Sequence, residues 1–463
     1  MSIYKPCDIR GDADGELSPA LYRNWGLALG HRLPPGVKFA VGGDVRRSTP
    51  QFMTALIEGL CQSGLDVVNL GVLPTPMIYH ALHRLRADGC AVVTASHNPG
   101  GVNGLKWLIH NLPPTPDDIA SMAAEPRNAH AANGRSVTTA RTLDVSFDYV
   151  ADLQETFVDS LGAQLHVVVD PMHGCWAEKA RRYLHAIFPQ CIFSTIHDTV
   201  DPEFGGATPD CSRSSALADL CETVYRERAH LGIAFDGDGD RLALVDNDGV
   251  PLSPEETVDI LFRCLGGRLS GERFVHDLKY SNRIFESARE WGAEPIAERS
   301  GHAFLRTRMV QSDALLGAEV SGHFFHRALH GGEDGLYTAC LVIAHLAGSQ
   351  KSLADLRREC PAVYMTSDVR IDVPLERQPL LFEQVRNAWS DFPQQTTDGV
   401  RIDTPSGWIL MRSSVTEAAL TFRFEALDWN ALDDLIERFC DTLPEVGDEL
   451  WARCRAALGS AMI

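Results

Sequence analysis

The sequence predicts an α/β protein: three similar units with mixed, mostly parallel sheets, then a smaller α+β unit at the C-terminus. Three observations lead there. At 463 residues the chain is too long for one core, and a prior of about one domain per 150 residues suggests three or four. As far as Pro361, short apolar runs that fit buried strands alternate with stretches of helical period. Beyond Pro361 the texture changes to strands of alternating polarity and a closing helix.

The first cycle reads as a strand over 39–42, a helix over 50–64, a strand over 66–70, a helix from Thr75 and a strand over 90–94. Such alternation implies a parallel, doubly wound sheet. The second opens on the apolar run His166-Val167-Val168-Val169 and closes on Gly232-Ile233-Ala234-Phe235. A third extends from Phe274 through Leu316. In the tail, 369–373, 407–411 and Leu420-Thr421-Phe422-Arg423-Phe424 read as strands and 432–439 as a helix. Polar seams at 128–142 and 246–253 suggest units at 1–145, 146–248, 249–362 and 363–463. Each α/β unit presents a loop after a strand's C-terminal end, where open sheets of this kind bind ligands.

A formal charge of -20 argues against nucleic acid as a partner, which draws on clustered Lys and Arg. A small anionic ligand then needs local islands of Arg, Lys, helix N-termini or a divalent metal. The first residues lack the apolar core of a signal peptide, and no run is long enough to span a membrane, so a cytoplasmic protein is expected. Twelve cysteines without CxxC or zinc spacing read as buried thiols of a reducing compartment.

Four segments concentrate chemistry. Thr94-Ala95-Ser96-His97-Asn98-Pro99 follows a buried strand and precedes Gly100, Gly101 and Gly104. A serine there, with His97 and Lys106 near in sequence, is placed to accept and return a group, although a capping serine in an ordinary turn has the same signature. Asp236-Gly237-Asp238-Gly239-Asp240-Arg241 puts three carboxylates directly after an apolar strand. Their repulsion calls for a countercharge, and a hard divalent cation, magnesium foremost, supplies it; a solvated acidic turn is the plain alternative. An EF-hand is disfavoured, because a strand precedes the loop and no Glu closes it. In Gly317-Ala318-Glu319-Val320-Ser321-Gly322-His323, an extended backbone sets Glu319, Ser321 and His323 on one face, suited to sugar hydroxyls or simply to a polar strand edge. Arg412, Ser414 and Thr416 in Arg412-Ser413-Ser414-Val415-Thr416-Glu417 make either a phosphate cradle or a surface turn. Arg10 and Lys279 stand out as further cations.

In this order and spacing the segments resemble the α-D-phosphohexomutases, in particular their bacterial phosphomannomutase/phosphoglucomutase branch. Asp8-Ile9-Arg10-Gly11, Gly43-Asp44-Val45-Arg46, Pro74-Thr75-Pro76 and Ser300-Gly301-His302-Ala303-Phe304 add to the likeness, which spans essentially the whole chain. The resemblance implies four domains around a central cleft and interconversion of hexose 1- and 6-phosphates, mannose or glucose. It implies a phosphorylated Ser96, Mg2+ held by Asp236, Asp238, Asp240 and the phosphoserine, and a hexose 1,6-bisphosphate intermediate. Arg10, His97 and Lys106 are then expected to stabilise charge or move protons, and Lys279 and His302 to face the sugar phosphate. Glu319, Ser321 and His323 are expected to hold the ring, and Arg412, Ser414 and Thr416 the phosphate that is not transferred. The expected partner is a small phosphosugar, taken up by a monomer or weak dimer. Cys7, Val320, Val415 and Ala418 depart from the family's usual Tyr, Met, Asn and Pro, and Phe204-Gly205-Gly206 from its frequent Phe-Pro. A glucosamine phosphate mutase, a non-catalytic sugar-phosphate-binding protein and a serine phosphatase are the competing readings.

Overall fold

Four sheets carry the chain in the computed structural model, which describes residues 2–124, 140–160, 162, 164–414 and 418–461. The seam read at 128–142 lies, through residue 139, outside the described residues. The first sheet takes β1 (Ile9–Asp12), β2 (Lys38–Gly43), β3 (Asp66–Val72), β4 (Gly89–Val93), β5 (Val102–Ile109) and β6 (Arg141–Thr142), in the order β1-β5-β4-β2-β3-β6. β2, β3, β4 and β6 run parallel, whereas β5 returns antiparallel between β4 and β1. That return sets Lys106 beside Val92 of β4 and Asn103 beside Gly11 of β1. β4 is buried at every position, as a central strand covered on both faces requires.

The helices α1 (Pro19–His31) and α2 (Thr49–Gln62) cover one face of this sheet and touch backbone to backbone. A methyl group on Gly26 would overlap the Leu56 carbonyl, and one on Gly59 the Arg23 carbonyl. Helix α3 (Thr75–Arg84) covers the other face.

The second sheet holds β7 (His166–Asp170), β8 (Ile192–Thr195), β9 (Leu231–Phe235) and β10 (Leu242–Asp246), in the order β10-β9-β7-β8 with only β10 antiparallel. The third orders β11 (Arg273–Asp277), β12 (Glu294–Glu298), β13 (Leu316–Ala318), β14 (Phe324–His326) and β15 (Gly332–Glu333) as β12-β11-β13-β14-β15. Its first three strands are parallel and the last two form an antiparallel margin.

The tail sheet is wholly antiparallel. It comprises β16 (Tyr364–Met365), β17 (Val369–Asp372), β18 (Gln394–Gln395), β19 (Val400–Thr404), β20 (Gly407–Ser413) and β21 (Ala419–Ala426), backed by the helices Gln378–Ala388 and Trp429–Cys440. The expected α+β tail is therefore present. Its core, with Trp389, Phe422, Phe424 and Phe439, stands apart. The first three domains instead share one apolar cluster, in which Val68 and Met77 join Val169, Phe235, Phe274 and Leu336. This shared burial fixes the three sheets against one another, and with them the loops at their strand ends. Among the described residues no helix is long and apolar enough to cross a membrane.

Candidate active site

Ser96 stands three residues past β4 with φ at +52°, a left-handed backbone that few residues with a Cβ adopt. Its N–H donates to Thr94 Oγ1 at 2.8 Å, and its Oγ donates to Asp236 Oδ2, 140 residues later, at 2.8 Å. His97 Nδ1 lies 3.4 Å from the same oxygen. Burial, helped by the Arg241 and Arg10 cations, keeps this imidazole well below the usual histidine range and therefore neutral.

The loop after β9 brings Asp236, Asp238 and Asp240 together, fully buried, with one carboxylate oxygen of each within 4.8 Å of the others. Lys106 Nζ bridges Asp238 and Asp240 at 2.9 and 2.7 Å. Burial alone would lower this ammonium's pKa, but the two carboxylates hold it well above its ordinary value. Burial, and then its carboxylate neighbours Asp240 and Asp238, push Asp236 up to about 7. Asp238 Oδ2 also accepts from Thr75 Oγ1 at 2.7 Å, while its Oδ1 is buried without a hydrogen-bond partner among the described residues. Three crowded carboxylates with an unsatisfied oxygen, beside a serine hydroxyl, form an all-oxygen donor set that fits a hard metal ion.

Glu319, Ser321 and His323 do meet, but by a different route from the extended strand expected of them. The chain turns tightly after β13: Gly322 N–H donates to the Glu319 carbonyl at 3.0 Å, Glu319 N–H donates to the His323 carbonyl at 2.9 Å, and Gly322 takes φ of +93°. Gly322 supplies the left-handed residue that the reversal needs. Ser321 Oγ then donates to Glu319 Oε2 at 2.8 Å, and His323 Nδ1 lies 2.9 Å from that carboxylate. Burial would lower His323, but Asp240, 3.1 Å from Nε2, holds it up at about 9, so it is a cation near neutrality. Leu242 N–H donates to the Gly322 carbonyl at 3.0 Å and ties this turn to the aspartate loop.

The remaining cations approach from the rim. Arg10 reaches Asp8 through Nε at 2.9 Å and Asn98 Oδ1 through Nη1 at 2.7 Å, so it braces the serine loop. His302 Nε2 sits 3.8 Å from Asp8 Oδ2, and its ring lies 5.9 Å from that of His323. Lys279, two residues past β11, pairs with Asp368 of the tail domain at 3.2 Å. Arg412, in β20, pairs with Asp398 at 3.0 Å, and Asp398 also accepts from the Ser300 N–H at 3.2 Å. Ser414 follows β20, its N–H donating to the Ala419 carbonyl at 2.8 Å; Thr416 and Val415 lie outside the described residues. Cys7 is buried beside Gly301.

Asp44, Arg46, Thr75, Arg241, Asp368 and Asp398 belong to this assembly without having been assigned roles from sequence. Asp44, Arg46 and Thr75 fall inside motifs that carried the family resemblance, which was the available signal. Asp368 and Asp398 had none, because their meaning comes from partners in another domain.

Comparison with known proteins decides the family. Family models described as phosphoglucomutase/phosphomannomutase α/β/α domains I, II and III match residues 2–129, 147–249 and 255–364. A phosphomannomutase/phosphoglucomutase of Pseudomonas aeruginosa is 30% identical over 97% of both chains. The chain belongs to the phosphoglucomutase/phosphomannomutase family. A phosphomannomutase of Escherichia coli is 30% identical over 92% of this chain and 95% of its own. A solved phosphoglucomutase/phosphomannomutase family protein of Burkholderia thailandensis superposes with a TM-score of 0.85 at 29% identity, covering 95% of this chain and 96% of that one. Membership of the phosphoglucomutase/phosphomannomutase family makes the chain a phosphohexomutase, an intramolecular phosphotransferase.

Proposed function

We propose that this phosphohexomutase interconverts hexose 1-phosphate and hexose 6-phosphate, mannose, glucose or both, through phosphorylated Ser96 and a hexose 1,6-bisphosphate that stays bound between half-reactions. The observation that carries the reading is the 2.8 Å contact between Ser96 Oγ and Asp236 Oδ2, which sets one nucleophilic oxygen against a buried triad of carboxylates. The names of the relatives support the two sugars.

Ser96, Asp236, Asp238 and Asp240 would hold Mg2+, which would supply positive charge to the phosphoryl group in transit. In the first half-reaction the bond between phosphorus and Ser96 Oγ breaks as a hydroxyl of the bound hexose monophosphate bonds to phosphorus. The hydroxyl loses its proton and Ser96 Oγ gains one. Neutral His97, 3.4 Å from Ser96 Oγ, is placed to accept a hydrogen bond from the hydroxyl so formed, and Lys106 and Arg10 hold charge around the loop. The second half-reaction runs the exchange backwards from the other end of the sugar.

Glu319, Ser321 and His323 offer acceptors and donors to the ring hydroxyls. Lys279, with Arg412, Ser414 and Thr416 of the tail, grips the distal phosphate and fixes the attacking hydroxyl in line. Ser96, the triad and Lys106 are each no more than 2% exposed, and this dryness favours transfer over hydrolysis.

Intact-protein mass spectrometry with peptide mapping is expected to find one phosphoryl group on Ser96. Ser96→Ala is expected to lose at least about a thousandfold in turnover of either sugar phosphate. Retained turnover in that variant sinks the reading, and faster turnover of glucosamine 1-phosphate than of both hexoses would move the substrate to the amino sugar.

A further inference from the structure

Arg46 lies in the loop after β2 with its side chain fully buried. Its planar fork offers five N–H donors, and each has an acceptor. Nε donates to Asp44 Oδ2 at 2.8 Å. Nη1 donates to the carbonyls of Pro99 and of Val102, the latter at 2.8 Å, and Nη2 to those of Ser96 and Asn98 at 2.7 and 2.6 Å. Three carbonyls of the serine loop and that of Val102, the first residue of β5, therefore converge on one cation.

The convergence is unusual in its demands. Four carbonyl dipoles aimed at one dry point repel each other and have lost their water, so the loop holds this shape only while the cation is there. Asp44 fixes the cation in turn, since its carboxylate also accepts from Thr49 Oγ1 at 2.8 Å and Thr94 Oγ1 at 2.7 Å. From the second domain the Phe204 ring covers the guanidinium, with its centroid 4.9 Å from Cζ.

We propose that Arg46 is a positioning residue for phosphoryl transfer. By gathering the carbonyls of Ser96, Asn98, Pro99 and Val102 it imposes the left-handed backbone at Ser96 that aims Oγ at Asp236, and the Phe204 ring locks that arrangement when the second domain docks. The proposal rests on Ser96 as phosphoryl carrier. Among the described residues Arg46 bonds to none of those assigned to the sugar, so its signature is a loss in transfer without a loss in binding.

The test is Arg46→Lys. An ammonium keeps the charge but has three donors and no planar fork, so it reaches Asp44 and leaves carbonyls unpaired. The expected result is a kcat lower by about a hundredfold, the scale of a misaimed reacting group, with KM for hexose 1-phosphate within about threefold of the parent. Single-turnover phosphorylation of Ser96 by a hexose 1,6-bisphosphate slows by the same factor. Arg306→Lys is the matched control: this arginine is equally buried, pairs with Glu333 at 3.2 Å and Asn111 Oδ1 at 2.7 Å, and leaves the serine loop alone. It is expected to lower the thermal midpoint with kcat unchanged.

A folded Arg46→Lys enzyme with kcat within about threefold of the parent overturns the proposal, and so does a loss expressed mainly in KM. Should that variant fail to fold, Phe204→Leu carries the test, with kcat expected to fall about three- to tenfold at unchanged KM; unchanged kcat there overturns the proposal. The phosphoserine reading is judged separately, on the parent enzyme and Ser96→Ala: phosphorylated Ser96 in the parent together with an unaffected Arg46→Lys variant removes Arg46 alone.

Discussion

Lys106 bridges the buried carboxylates of Asp238 and Asp240, so removing it takes away countercharge that His323, beside Asp240 alone, only partly replaces. Lys106→Met is expected to destabilise the protein by about 3–5 kcal/mol in urea unfolding without divalent cations. Saturating Mg2+ should recover a large part of that loss, because the ion replaces the missing countercharge. A destabilisation that Mg2+ leaves untouched would show that the triad does not hold it. At this scale the sequence was legible where chemistry is contiguous: Ser96 sits in one unbroken motif and the aspartates in another. Arg46 was not legible in the same way, because a single arginine reads as a solvated charge until the chain brings back, 50 residues later, the Ser96 carbonyl it receives.

Between α1 and α2 the contact is glycine on backbone, which leaves no room for a side chain. Gly26→Ala is therefore expected to push the helices apart at about 1–3 kcal/mol, measured as a lower denaturation midpoint, with kcat unchanged because the atoms nearest Gly26 belong to Leu56, Gly59 and Leu60 of α2 rather than to the serine loop. Elements such as β2, β4 and β9 could be read from their apolar runs alone. β5 could not, because Asn103 and Lys106 interrupt its apolar pattern; both are buried for the sake of the site rather than the core. The turn at Glu319–Val320–Ser321–Gly322–His323 escaped for a related reason. Alternating polar residues fit a strand edge, and only the positive φ of Gly322 distinguishes a reversal. The α+β tail was legible because Leu420-Thr421-Phe422-Arg423-Phe424 alternates in polarity, although β21 is buried at every position.

Across the whole molecule, buried titratable groups give stability opposite slopes with pH. Burial pushes His276 and His326 down to about 3 from 6.5, so between these values the unfolded chain binds protons that the native protein refuses. Their contribution to stability is present above pH 6.5 and is lost as pH falls toward 3. Asp334 has the opposite sign: burial raises it from 3.8 to about 7, so its contribution is present below 3.8 and is lost as pH rises through 7. Between pH 3.8 and 6.5 the two contributions oppose one another, so the urea midpoint is expected to rise with pH less steeply than the two histidines alone would dictate and to level off above pH 7. Asp334→Asn should steepen the rise between about pH 4 and 6.5, and an unchanged slope there would remove Asp334 from the account. The contact between Ser96 and Asp236 closes a span of 140 residues, and that between Thr75 and Asp238 a span of 163. Links this distant form after local structure during folding. On dilution from denaturant, helical circular dichroism should therefore return first and mutase activity later, at the rate of domain docking; turnover is in effect a clock for the last step of assembly.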